Sequence, residues 1–433
     1  MSILKQKLLI ILGFTFLKKY VIIERELFCG GDMQEQSKHY LPTDPVSIYP
    51  LSEYTEEGAR VALTSLLESL DFFKYVNKGV KIAIKANLVS AMKPDEAATT
   101  HPVLLSALCD ILTEKGAFVT VGDSPGGLYN SAFVGRVYTV SGVREVEAHG
   151  AKLNYDFSEA SAEFPEGKVL RNFTYTAYLD GFDLIINFCK LKSHGMMGMS
   201  CAAKNMFGTV PGVIKPEYHF RFPRYEDFAD MIVDLDEYFH PVLSIADAVV
   251  GMEGNGPTAG TPKKMGFLLA SHSPHTLDML AAHLIGFKKE ELPMLMAAHR
   301  RGLIPDSVSE LNVIGNSDGL EVCDFERVVE RRSLEFSGDG KNPIKRLFGS
   351  IAGALLRTRP HLKPKLCVGC GVCAGICPAK AIVIKNKKAK IDRKKCIRCF
   401  CCQEFCPKSA LKVKRTPIAE IFHREKKQKE KKQ

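Results

Sequence analysis

The chain lacks a membrane span at its start. Leu8–Leu17, preceded by Lys5 and Lys7, is an apolar run of ten residues, whereas a spanning helix needs about twenty. Alanine is missing before Ala59, so there is no small-residue cleavage site of an ordinary export signal. The expectation is a start at Met33, with residues 1–39 an over-long extension; an interfacial helix and an export signal are the alternatives. Aromatic residues are missing among the lysines of Lys426–Lys432, which argues against nucleic acid, since stacking platforms accompany such lysines. No H-x-x-x-H or H-E-x-x-H pair occurs. A divalent metal at His194, His219, Asp123 and Glu253 therefore has no motif behind it. The turn Gly122–Gly127 follows a strand but lacks G-x-G-x-x-G and the Walker lysine spacing, so nucleotide binding there is disfavoured.

What is present suits a soluble protein of two or three domains. The chain has 433 residues, 45% of them hydrophobic, enough for a large core. The formal charge of +10 is uneven. Residues 379–433 hold 19 Lys/Arg against 5 Asp/Glu, a net of +14, so the remainder carries about −4. A basic end of this kind is a solvated tail and counter-charge for anionic groups, or a docking surface for an acidic partner protein. Nine of the fourteen cysteines lie between Cys367 and Cys406; Cys29, Cys109, Cys189, Cys201 and Cys323 are scattered. That is a reduced, cytoplasmic pattern and not a disulfide framework.

Two cysteine runs carry the clearest chemistry. Cys367, Cys370, Cys373 and Cys377-Pro378 read C-x2-C-x2-C-x3-C-P, and so do Cys396, Cys399, Cys402 and Cys406-Pro407. Each position of the second run lies 29 residues after its counterpart in the first. This internal duplication resembles the bacterial two-cluster ferredoxins over about 50 residues. Three thiolates of each run reach one cubane, and the fourth is carried to the other cluster. One [4Fe–4S] cluster is thus expected on Cys367, Cys370, Cys373 and Cys406, and a second on Cys396, Cys399, Cys402 and Cys377. Structural zinc also uses cysteine pairs, but the doubled order with both prolines disfavours it. Cys401 is a spare thiol, with a swap for Cys402 as the alternative.

Residues 40–340 alternate strand-like and helix-like stretches. Strands are expected at Val80–Lys85, Ala117–Val121, Asp183–Phe188, Val242–Val250, Gly266–Ala270 and Glu310–Ile314. Helices are expected at Pro102–Lys115, Tyr225–Phe239 and Pro274–Ile285. The alternation predicts an α/β fold, a mainly parallel sheet with helices on both faces, plus a small C-terminal α+β two-cluster ferredoxin domain. The domain plan is an extension at 1–39, the α/β domain at 40–332, a connector with a helix at Leu347–Leu356 over 333–364, the cluster domain at 365–415 and a basic tail at 416–433. Polar residues collect after the strands, where such folds place their sites.

Lys85-x-Asn87, Thr99-Thr100-His101-Pro102, Lys192-Ser193-His194, Lys204-Asn205-x-Phe207-Gly208 with Pro211-Gly212, and Glu253-Gly254-x-Gly256-Pro257 together resemble the family called domain of unknown function 362, over about residues 45–320. The resemblance implies an architecture in which a C-terminal two-cluster module is common, and it implies no reaction. Read by themselves, Lys85, Lys190, Lys192, Lys204 and His194 make a cationic pocket for a carboxylate or phosphate; ordinary salt bridging and Schiff-base or general-base use are the alternatives. Lys192, His194, His101 and Lys204 are the candidate catalytic residues, although His101 before Pro102 also suits a helix start. The reading reached is an iron–sulfur oxidoreductase that relays electrons between a soluble carrier or redox partner protein and a reaction on an anionic small molecule, in a direction the sequence leaves open. The alternatives are a non-catalytic cluster-bearing subunit whose α/β domain binds a partner protein, and a maturation or regulatory protein.

Overall fold

The computed structural model describes residues 39–327 and 359–414. The start at Met33, the connector helix at Leu347–Leu356 and the basic tail from residue 416 lie outside them. The strands are β1 (Val46–Pro50), β2 (Lys81–Lys85), β3 (Phe118–Gly122), β4 (Lys152–Leu153), β5 (Glu159–Glu163), β6 (Asn172–Thr176), β7 (Leu184–His194), β8 (Gly198–Ser200), β9 (Leu243–Glu253), β10 (Thr261–Ser271) and β11 (Val313–Ile314). In the C-terminal module they are β12 (Arg359–Leu362), β13 (Ile382–Lys385), β14 (Lys388–Ile391) and β15 (Leu411–Lys414).

The large sheet runs β11-β1-β10-β9-β7-β2-β3-β4, with β8 hydrogen-bonded to β7. From β9 through β4 every neighbour on this path is parallel. The exception is β10, antiparallel to both β1 and β9. Crossover helices cover both faces. Strand β10 shows the division by its period of two: Leu268 and Ala270 face one core with the helices Glu56–Ser69 and Pro102–Glu114, while Phe267 and Leu269 face the other with Tyr225–Phe239 and Pro274–Leu284. Each of the leucine and phenylalanine side chains, fully removed from water, contributes roughly 1.5–3 kcal/mol. The alternation therefore fixes strand register as well as fold class.

Local chemistry sets the element ends. Pro102 starts its helix at the position that needs no N–H. The Ser273 side chain accepts from the N–H groups of His275 and Thr276 and caps Pro274–Leu284. Tyr225–Phe239 has the expected bounds, ending where His240 turns left-handed. Two expectations about the large sheet need correction. Lys190, Lys192, Ser193 and His194 are not in a loop after a strand; they lie within β7, which runs on to pair with β8 as a hairpin. The expected strand Glu310–Ile314 shortens to Val313–Ile314, because Ser307 caps a 3₁₀ turn over Val308–Glu310.

In the C-terminal module β13 pairs with β14, and β12 with β15. Arg359–Leu362 was expected in the connector. Its pairing with Leu411–Lys414 makes it an edge of the module.

Candidate functional site

The two cysteine runs fold into near-repeats. Each contains a one-turn helix, Val372–Gly375 with Cys373 and Cys401–Glu404 with Cys401 and Cys402. Left-handed backbone recurs at the 29-residue register: Gly369 and Arg398, Gly371 and Phe400, Lys380 and Ser409. Cys367, Cys370, Cys373 and Cys406 line one cavity of about 350 Å³. Burial pushes the Cys396 and Cys402 thiols up, and the nearby charges of Cys399 and Cys377 add to both shifts. The backbone N–H of Ala381 donates to Cys377 Sγ at 3.2 Å, and that of Ala410 to Cys406 Sγ at 3.3 Å. These matched bonds fall on the two cysteines expected to cross between sets. Clustered thiols, N–H donors to sulfur and a cavity walled by four cysteines fit iron–sulfur groups. Cys401 is fully buried and hydrogen-bonds Cys399, while Cys402 faces the other three thiols of its set.

A second cleft, enclosing about 630 Å³ and partly open to solvent, lies beyond the C-terminal ends of the parallel strands. Lys192, Lys204 and Lys215 line it together with Asp123, Asn205 and His219. So do Glu404 and Phe405, which come from the C-terminal module between Cys402 and Cys406. A Cβ on Gly126 would stand 2.6 Å from the Phe405 ring. The Gly122–Gly127 turn, weighed above for nucleotide binding, is thus packed against that ring.

The module is held to the sheet by several contacts. Gln403 Nε2 donates to the carbonyls of Asn255 and Gly256 at 3.0 and 3.2 Å. Thr258 Oγ1 donates to the Glu404 carbonyl at 3.1 Å. Val413 N–H donates to Asn255 Oδ1 at 3.2 Å. His194 Nε2 lies 2.9 Å from Glu404 Oε1. His194 Nδ1 accepts from the N–H groups of Met196 and Met197, so the ring proton belongs on Nε2 and points to the carboxylate. Burial pushes the Glu404 carboxyl up, but His194, Lys204 and His219 outweigh it and hold the group well below the usual range.

The lysines divide by partner. Lys85 pairs with Asp123 at 2.8 Å and Lys190 with Asp247 at 2.7 Å. Burial lowers both amines, and the carboxylate opposite each works against that shift. Lys192 donates to Asn87 Oδ1 at 2.6 Å and to the Ala98 carbonyl at 2.7 Å. Lys215 donates to the carbonyls of Ser124 and Val210 at 2.5 and 2.7 Å. Burial pushes Lys192 down to about 7, with Lys204 and Lys190 adding to it. It pushes Lys215 to about 7 as well, aided by Lys85 and Lys204. Asn205 ties the network together: its Oδ1 accepts from Asn87 and Lys85, and its Nδ2 donates to Asn187.

The structure thus brings Lys192 and Lys204 to one cleft and puts His194 behind it on Glu404. It does not bring His101 there. That ring stacks on Tyr54 with centroids 3.6 Å apart and burial lowers its pKa to about 4, while the backbone N–H of His101 donates to Asp247. Thr100 of the same motif bridges, accepting from Asn87 N–H and donating to the Phe188 carbonyl. The four groups weighed for a divalent metal each engage another partner: Asp123 faces Lys85, His194 faces Glu404, His219 stacks on Phe228, and Glu253 accepts from Glu326 N–H. Cys189 and Cys201 are buried with their sulfurs 3.6 Å apart. Sequence reasoning missed Lys215, Glu404 and Phe405. The register held a signal for Glu404, because its counterpart 29 residues earlier is Gly375.

Comparison with known proteins agrees with this division. Residues 82–283 match the family model of a domain of unknown function, DUF362, and residues 359–407 match that of a 4Fe–4S dicluster domain. A thylakoid-associated protein of Synechocystis is 29% identical over 268 residues, which is 60% of this chain and 80% of that protein. The lactate racemase apoprotein from Thermoanaerobacterium thermosaccharolyticum aligns with a TM-score of 0.35 at 11% identity, over 58% of each chain. The chain is an iron–sulfur protein in which a domain of the DUF362 family is followed by a 4Fe–4S dicluster domain.

Proposed function

We propose that the protein is an oxidoreductase that passes electrons from two [4Fe–4S] clusters to an anionic small molecule in the lysine-lined cleft. One observation carries this reading: Glu404 and Phe405, between Cys402 and Cys406, line the same cleft as Lys192, Lys204 and Lys215. Cys367, Cys370, Cys373 and Cys406 would hold one cluster, and Cys396, Cys399, Cys402 and Cys377 the other. When bound, the clusters supply one-electron reducing equivalents beside the cleft.

The chain's own residues do the rest. Lys192, Lys204 and Lys215 bind the carboxylate or phosphate of the substrate. Lys192 and Lys215, with pKa values of about 7, are placed to give up a proton near neutral pH. His194 holds Glu404 in place, and Phe405 screens one wall of the cleft from water. Electrons reach the protein from a carrier protein.

The test uses reconstituted, dithionite-reduced protein mixed anaerobically with a panel of carboxylates and phosphates. At least one acid should restore the oxidised cluster absorbance. Lys192→Ala and Lys215→Ala should abolish that recovery with iron content unchanged. Clusters that stay reduced with every acid, in protein that co-purifies with a stable partner, would instead mark a cluster-bearing subunit whose α/β region binds that partner.

A further inference from the structure

The two cysteine repeats share a backbone but not its residues. Where the first repeat turns left-handed at Gly369 and Gly371, the second does so at Arg398 and Phe400. A residue with a Cβ costs roughly 1–2 kcal/mol there. Phe400 offsets this by burying its ring. Arg398 buries its side chain only in part. Strain of this kind concentrates at functional positions.

Arg398 lines a further cleft of about 630 Å³, together with Arg359, Arg393, Lys394 and the ligand-run residue Cys396. Among the described residues no carboxylate lines it. Residues 359–414 hold fifteen Lys/Arg against Asp392 and Glu404, and Glu404 is turned inward on His194. The surface around Cys396 is therefore strongly positive. Three of its four cations are arginines, whose planar forks pair with carboxylates in two places at once.

We infer that this cleft is where an acidic one-electron carrier protein docks and delivers electrons. The inference rests on the electron-transfer reading above and adds the entry point and the character of the partner. Cys396 opens on the basic cleft. Cys402, of the same set of four, precedes Glu404 by two residues, and Glu404 lines the substrate cleft. In the step, the carrier is oxidised by one electron and the Cys396 set's cluster is reduced by one; no bond breaks and no proton moves. Complementary charge gives such encounters their speed and salt sensitivity.

The test is titration calorimetry of the reconstituted protein with an acidic flavodoxin, at low and high salt. Native protein should bind, and salt should weaken the binding. Arg393→Glu combined with Lys394→Glu, at two exposed positions, should weaken it by about tenfold or more. The control pair, Lys385→Glu with Lys387→Glu, makes the same charge change at the β13–β14 turn and should weaken it much less. Arg398→Gly should lower affinity and raise the unfolding midpoint, because glycine suits the left-handed position; a merely structural arginine would give the reverse. Equal losses in both double variants, no salt-sensitive binding by native protein, or binding only to phosphatidylglycerol vesicles would each overturn the assignment. Dithionite reduction serves as the control on the underlying reading. If dithionite leaves the cluster absorbance unchanged while docking persists, electron transfer fails and the docking surface stands.

Discussion

Lys190 and Lys192 lie two residues apart on one strand, are equally buried, and lead different lives. Lys190 faces a carboxylate, and Tyr54 and His101 close over the pair. Lys192 faces only an amide and a carbonyl, and its side chain lines the cleft. An irregularity in the sheet separates them: between their partners β9 advances five residues, from Asp247 to Met252, while β7 advances two. A bulge of this sort re-aims side chains beside functional sites. On one side of it a cation is neutralised inside the protein. On the other its charge has no carboxylate partner among its hydrogen bonds, and a bound anion would supply one. Lys85 with Asp123 repeats the first pattern, and Lys215 repeats the second.

The largest effect should come from breaking a compensated pair. Lys190→Ala leaves the fully buried Asp247 without its cation, and such losses cost about 3–5 kcal/mol. Urea unfolding should show that loss, and anion affinity should change little. A cost below about 1 kcal/mol would mean that Asp247 is rescued by another group and that the contrast is false.

Next comes Lys192→Ala. Here the stranded groups are neutral acceptors, so the stability cost should be about 1–3 kcal/mol. Affinity for the anion should fall by roughly tenfold to a hundredfold, the value of one charge-assisted contact. Calorimetry with the best acid from the substrate panel reads this directly. If Lys190→Ala costs affinity and Lys192→Ala costs only stability, the two sides have been assigned the wrong way round.

The same contrast has a pH signature. Binding needs the Lys192 and Lys215 amines charged, and both sit at about 7 in the folded protein. Affinity should therefore be full below pH 7 and fall about tenfold per unit above it for each lysine that must carry its proton. Stability moves the other way. Unfolded lysine keeps its proton to about pH 10.4, so between about 7 and 10 the unfolded state binds more protons and each of these lysines adds about 1.4 kcal/mol of stability per pH unit. Subtracting the Lys192→Met profile from the native one isolates that slope. A flat difference would show that Lys192 stays charged throughout.

Much of this was legible in advance, for definite reasons. The helix Tyr225–Phe239 and the alternating strands were readable because apolar spacing fixes which face is buried. The cysteine runs were readable because cubane ligation tolerates few spacings. What escaped was set at long range. Nothing local tells that β7 continues through Lys190 and Lys192, because charged residues read as loop until Asp247 and Asn87, 57 and 105 residues away, are brought beside them. Lys215 was passed over for the same reason, since its partners are carbonyls that any sequence would supply. Glu404 and Phe405 were hidden among ligand cysteines, and only the docking of the module gives them a wall to form.

His101 gives the smallest expected effect and the finest test. In sequence it stood beside Lys192 as a catalytic candidate. In the structure it belongs to the compensated side, stacked on Tyr54 with its backbone N–H on Asp247. Its lowered pKa keeps the ring neutral at physiological pH, so substitution removes no charge. His101→Asn keeps the backbone bond and loses the stacking, which should cost about 0.5–1.5 kcal/mol of stability. Oxidation of the reduced clusters by the best acid should keep its rate within about twofold, well inside the tenfold that 1.36 kcal/mol of barrier would represent. A larger loss of rate with stability intact would place a proton-transfer role at His101. It would also mean that the Lys190 side of the bulge takes part in the chemistry as the Lys192 side does.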